Sequence, residues 1–285
     1  MNLDLIYEFI GKAFPFEYMQ MTFMQQAMLG LLLLAPMSAL MGVQVVNFRM
    51  AFFADAISHS TFAGVGLGLI LAIDPHFTMP AFGLLVGLAI MACQRRSSLS
   101  SDTVIGVFFS AVIAFGLAVV SRDKNAARNI QLFLYGDILT ISDTDIKAMI
   151  ALFIVLIAFQ IFGYNRMLYI GLNPTLAKAH RIRVAFYQYM YAGLLSLVVI
   201  FSVWAVGVFL VTAMLIVPAA AARNLSKTAG NMAWWAVTIS VSSAIIGLLI
   251  SAQDWARTAT GATVVLVSFV WFIISTIVGY THHRK

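Results

Sequence analysis

Apolar residues in this chain come in long unbroken runs separated by short polar clusters, and the runs have the length of membrane spans. Roughly 17 to 25 apolar residues are needed for an α-helix to cross the hydrocarbon core of a bilayer. Such runs are read at about 20–43, 50–73, 79–94, 103–121, 146–164, 184–204, 206–222, 232–252 and 260–280. The third is short, and the sixth and seventh are separated only by Ala205. A pair that tight also fits one crossing plus a broken or re-entrant helix, which is allowed where protein covers the backbone. The pattern predicts an all-α polytopic membrane protein with eight or nine transmembrane helices, residues 1–285 forming a single transmembrane domain. Between the fourth and fifth runs, Ile130 to Ile141 is apolar but too short to span, and it reads as an interfacial or partly inserted segment broken at Gly136, with Asp137 in the turn.

The loops set an orientation. With nine spans, the N-terminus outside and the C-terminus in the cytoplasm, 11 of the 17 basic residues fall inside, among them Arg49, Arg95, Arg96, Arg166, Arg181 and Arg223. That asymmetry follows the positive-inside rule and favours the nine-span arrangement. Nine of the 11 acidic residues then lie outside, an acidic face of the kind that attracts cations. One loop carries more information than the rest. Asn173-Pro174 is a helix start, an Asn cap with Pro at the first helical position, and Thr175 to Arg183 reads as a short basic helix on the cytoplasmic side. Lying along the membrane, docking into a soluble partner and simple positive-inside anchoring all fit it.

Composition agrees with the pattern. With 62% hydrophobic residues, 10% charged residues and a mean hydropathy of +0.95, the chain has too little polar surface for a soluble globule. Its net charge of +6 resides in short loops and gives no nucleic-acid signal. Cys93 is alone, which excludes a disulfide framework and a thiolate cluster, and it reads as an inert packing residue. The first 20 residues are weakly amphipathic and lack the basic start and small-residue cleavage site of a signal peptide.

Against this apolar background, Asp55-Ala-Ile-Ser-His59 stands out. An ionisable residue inside a span is costly and usually functional. Positions i and i+4 share one helix face, so the Asp55 carboxylate and His59 imidazole can address one object, and that pair suits a divalent metal ion such as zinc, manganese or iron. The plainer alternative is that the two side chains hydrogen-bond to each other or to a neighbouring helix. In the same span Ala56, Ser60, Gly64 and Gly68 form a small-residue stripe, displaced from the Asp55 face, that permits close helix packing. The remaining histidines read plainly: His76 in an outer turn, His180 in the basic helix, His282 and His283 in a basic tail. There is no phosphate-binding G-x-x-x-x-G-K-[ST] loop and no H-E-x-x-H, so neither an ATPase nor that type of zinc protease is supported. A secondary transporter driven by an ion gradient normally uses several intramembrane acids, and only Asp55 is available. A membrane metalloenzyme needs a third ligand and a general base in the spans, and none is visible.

Five stretches, Phe48-Arg-Met-Ala-Phe-Phe-Ala-Asp55-Ala-Ile-Ser-His59, Asp102-Thr-Val-Ile-Gly106, Tyr135-Gly-Asp-Ile-Leu139, Pro218-Ala-Ala-Ala-Ala-Arg223 and Gly261-Ala-Thr-Val-Val-Leu266, follow one another in a characteristic order and spacing. Over nearly the whole chain this is a resemblance to the permease subunit of the manganese, zinc and iron ABC importer family. It implies a homodimer of permeases in the plasma or inner membrane, a dimer of ATP-hydrolysing subunits on the cytoplasmic face and an extracytoplasmic metal-binding protein. No catalysis belongs to the permease itself, and no cofactor is permanently bound; the divalent ion is cargo. Asp55 and His59 match the family's pore-lining pair, and Leu176, Ala177, Lys178, Ala179, His180, Arg181 and Ile182 match the segment that couples to the ATPase. Three departures are visible. Phe62-Ala63-Gly64 stands where the family has Leu-Pro-Gly, so no proline kink is expected in the second span. Arg181 replaces a usual glycine, and Ala262 a frequent proline.

Overall fold

The computed structural model describes residues 3–121 and 138–283. Within these, all regular secondary structure is helical. A short helix α1 (Asp4–Ala13) precedes α2 (Thr22–Phe48), α3 (Phe53–Leu71), α4 (Pro75–Arg96) and α5 (Ser101–Val120). After residues 122–137 come α6 (Asp143–Leu172), α7 (Pro174–Ala179), α8 (Val184–Val206), α9 (Val208–Leu225), α10 (Ala229–Ser251) and α11 (Thr260–His283). Eight of these are long and apolar enough to cross a membrane; α9 is apolar but shorter over Val211–Leu225. The expected interfacial segment around Gly136 and Asp137 lies outside the described residues except for its end, where Ile138 and Ile141 are buried near Gly30 of α2. The side chains of His282 and His283 are also outside the description.

Local chemistry explains where the helices begin and end. Asp74 caps α4 by accepting from the His76 amide at 2.9 Å, with Pro75 in the first turn. That cap extends the helix to 22 residues, so the third span is longer than its hydropathy alone indicates. Ser142 and Asp145 form a reciprocal capping box that starts the 30-residue α6. The break between the sixth and seventh spans falls at Gly207, not at Ala205. Its φ of 82° is in the region that L side chains rarely adopt, and glycine is the residue that turns there without strain.

Helix α9 occupies the middle of the bundle, packed on α2, α3, α8, α10 and α11. The approach to α2 is close: a Cβ at Gly42 would collide with the Leu215 carbonyl oxygen. The small-residue stripe of α3 behaves as expected, with a Cβ at Gly64 meeting the Met79 backbone of α4 at 2.8 Å and one at Gly68 meeting Thr78 at 2.6 Å. At the periphery, α5 and α11 expose Val107, Leu117, Leu266 and Ile277, the surface of helices that face lipid. Cys93 is exposed on α4, contrary to the expectation that it packs inside. An apolar span has lipid-facing as well as protein-facing positions, and hydropathy does not separate them.

Candidate metal-permeation site

The polar cluster of α3 sorts itself by hydrogen bonding. Ser58, Ser60 and Thr61 donate to backbone carbonyls three residues back, at 3.0, 2.6 and 2.5 Å, and are satisfied within their own helix. Asp55 and His59 are not, and both are half-buried on the face that also carries Phe52 and Phe62. Asp55 lies in the first turn of α3, where unpaired amides and the helix dipole favour a negative charge. The Thr212 hydroxyl of α9 donates to Asp55 Oδ1 at 2.5 Å, tying the carboxylate to the central helix. His59 is held by aromatic edges, with ring centroids 5.1 Å from Phe109 of α5 and 5.6 Å from Phe62.

The two side chains therefore make no hydrogen bond to each other, while Asp55 does bond to a neighbouring helix, one of the plainer alternatives. The second oxygen of Asp55 and the imidazole nitrogens have no hydrogen-bond partner among the described residues. Among those residues no group of three or more His, Cys, Asp or Glu side chains comes together. One chain thus offers two ligands, fewer than the four or more that a first-row divalent ion takes.

The depth of the pair follows from its neighbours. A Cβ at Gly87 of α4 would lie 3.3 Å from Ile57 and touch Ser196 of α8, so these three positions share one level. Gly87 is nine residues from the end of α4 at Arg96, about 13 Å at 1.5 Å per residue. Asp55 and His59 bracket Ile57, so they sit within the bundle, toward the end that carries α7. Sequence reasoning missed Thr212. A threonine in an apolar helix, 157 residues from its partner, carries no local signal.

At that end, a cavity of about 410 Å³ opens between Arg49, Met50, Gln94, Arg95, Ser101, Pro174 and Tyr191. Its arginines make it cationic, so electrostatics would not draw a metal ion into it. Helix α7 begins as expected: Asn173 Oδ1 accepts from the Thr175 and Leu176 amides at 2.9 and 3.2 Å. It ends earlier than Arg183. The helix stops at Ala179, and Arg181 turns left-handed at φ 58° while the Ile182 amide closes back on the Ala177 carbonyl at 3.1 Å. Ala177 is buried and Ile182 half-buried, which leaves Leu176, Lys178, Ala179, His180 and Arg181 exposed as a projecting surface.

Known proteins resemble this chain over most of its length. It is 30% identical over 249 residues to the high-affinity zinc uptake system membrane protein ZnuB of Haemophilus influenzae, covering 87% of this chain and 95% of the relative. It is 32% identical over 257 residues to the manganese transport system membrane protein MntC of Listeria monocytogenes, covering 90% and 91%. In structure it is similar to PsaBC from Streptococcus pneumoniae in complex with Fab, with a TM-score of 0.76, 29% identity and 95% of each chain covered. A second solved structure, an inward-facing conformation of a putative metal-chelate type ABC transporter, shares the fold at a TM-score of 0.70 and 13% identity. The family model of the ABC 3 transport family matches residues 20–279, and the chain belongs to that family.

Proposed function

We propose that this chain is the membrane-spanning permease of an ATP-driven importer of divalent transition-metal ions, manganese, zinc or ferrous iron. Relatives named for zinc uptake, manganese transport and probable iron transport support the cargo class. The observation that carries the reading is the half-buried Asp55–His59 pair, on one face of α3 and short of ligands on its own. A two-fold axis beside the Asp55 face would supply the missing half. Two Asp55 carboxylates and two His59 imidazoles make an N2O2 set that suits manganese, ferrous iron or zinc. His59 must be neutral and Asp55 ionised to ligate. Thr212 would hold the carboxylate in place as the ion arrives and leaves.

In this reading ATP is hydrolysed by a separate dimer of subunits on the cytoplasmic face, docked against Leu176, Lys178, Ala179, His180 and Arg181. An extracytoplasmic binding protein delivers the ion at the opposite face. The C-terminus of α11 is cytoplasmic in this orientation. Cellular metal content tests the reading, in metal-starved cells that co-express the ATPase and binding protein with the wild-type chain, Asp55→Ala or His59→Ala at matched membrane levels. Accumulation of one metal is expected to fall to the background of cells without the permease in both variants, which also names the cargo. Unchanged uptake in both would make the pair structural.

A further inference from the structure

Helix α1 has three faces, and each has a different environment. At 100° per residue, Leu3, Tyr7, Ile10 and Gly11 fall on one face and are buried against the bundle. Asp4, Glu8 and Lys12 form a second face, exposed, with a Lys12–Glu8 ion pair at 2.6 Å. Leu5 and Phe9 form the third, apolar and 75% and 71% exposed. By the same 100° per residue the charged face is centred roughly 115° from the buried one, and the apolar face lies roughly 80° beyond the charged one, nearly opposite the protein wall. A helix between a protein wall, water and hydrocarbon needs this division.

The depth of α1 matches a membrane boundary. Tyr7 donates to Asp143 Oδ1 at 2.7 Å, and Gln26 of α2 donates to the same oxygen at 2.9 Å, so α1 lies at the level of Gln26. From Gln26 to Phe48, α2 rises about 33 Å at 1.5 Å per residue, close to the ~30 Å of a hydrocarbon core. The clasp therefore falls at the boundary opposite the coupling helix α7. Gln20 donates to the Gly11 carbonyl at 3.1 Å and fixes the far end of α1.

We infer that α1 is an interfacial anchor whose Leu5–Phe9 stripe inserts at the acyl–headgroup boundary of the leaflet opposite α7. The partner is the lipid surface itself. Charge segregation argues for it, because Asp4, Glu8 and Lys12 are gathered on one flank of the stripe and leave its apolar residues contiguous, as in a helix lying in the interface plane. Neither the metal path nor the coupling segment is involved, so the inference stands apart from the proposed function.

The test places a nitroxide on the full chain in lipid nanodiscs, at Leu5→Cys, Phe9→Cys or Glu8→Cys in a Cys93→Ser background. These three positions are exposed, so the labels leave the core intact. Collision with lipid-soluble oxygen is expected to exceed collision with a water-soluble nickel chelate at least threefold at positions 5 and 9, with the order reversed at position 8. Nickel access at positions 5 and 9 equal to that at position 8 would overturn the inference by placing the stripe in water. Screening of both positions from both reagents would overturn it by showing a protein cover. So would water-exposed labels that become shielded only when the metal-binding protein is added, which would make the stripe a docking face.

Discussion

At Asp55 the chemistry of one residue depends on another 157 positions away. The Thr212 hydroxyl spends its hydrogen on Asp55 Oδ1, which fixes the carboxylate and, on the proposed reading, leaves the second oxygen for the ion. A hydrogen bond to a charged group contributes about 1.5–3 kcal/mol. Thr212→Val is expected to lower metal uptake roughly tenfold, equivalent to about 1.4 kcal/mol, with Thr212→Ser close to wild type. Equal uptake by all three chains would remove Thr212 from the account. Arg181 is the other residue whose role is conformational. It occupies a left-handed position where the resemblance expects glycine, at an energetic cost for any residue with a Cβ. Arg181→Gly is expected to stabilise the folded chain by about 1 kcal/mol, read as a higher melting temperature in detergent. A lower melting temperature would mean that the guanidinium contributes more than the backbone loses. Asp55 and His59 were legible because charge in an apolar run is visible in one dimension. Thr212 was not, because its significance arises only when α9 packs against α3.

Among elements, the junctions are more informative than the spans. Hydropathy located the long helices, yet it placed the sixth and seventh spans apart at Ala205 where the backbone breaks at Gly207, and it truncated α4 by missing the Asp74 cap. Caps and positive φ values depend on single residues, whereas hydropathy averages over windows. The expectation for α3 held for a structural reason: without a proline the helix runs unbroken from Phe53 to Leu71, and its small-residue stripe seats on α4. The clasp between α1 and α6 has a testable pH dependence. Burial first, and the neighbouring Asp143 carboxylate second, raise the pKa of the Tyr7 hydroxyl well above its ordinary value near 10. The folded chain then holds that proton to higher pH than the unfolded one. Its stabilisation is complete below about pH 10 and is lost as pH rises from there toward the folded value. Wild type is expected to melt above Tyr7→Phe at pH 8, the gap narrowing as pH climbs past 10. A gap that widens with pH would contradict the sign.

For the whole molecule, the membership of the ABC 3 transport family and the eight long apolar helices establish a multi-pass membrane protein, and the sequence anticipated both. Assembly is a separate matter. On the proposed reading, the half-buried Asp55–His59 face of α3 is half a ligand set, and a second copy completes it only if the two faces share one axis. The most direct measurement is uptake by tandem dimers, two copies joined in one polypeptide and co-expressed with the ATPase and binding protein, with Asp55→Ala in neither, one or both halves. A shared pore predicts that a single defective half lowers uptake nearly to the level of the double variant. Uptake at half the wild-type rate would mean that each chain conducts through its own path, and would contradict a metal site built across the two copies.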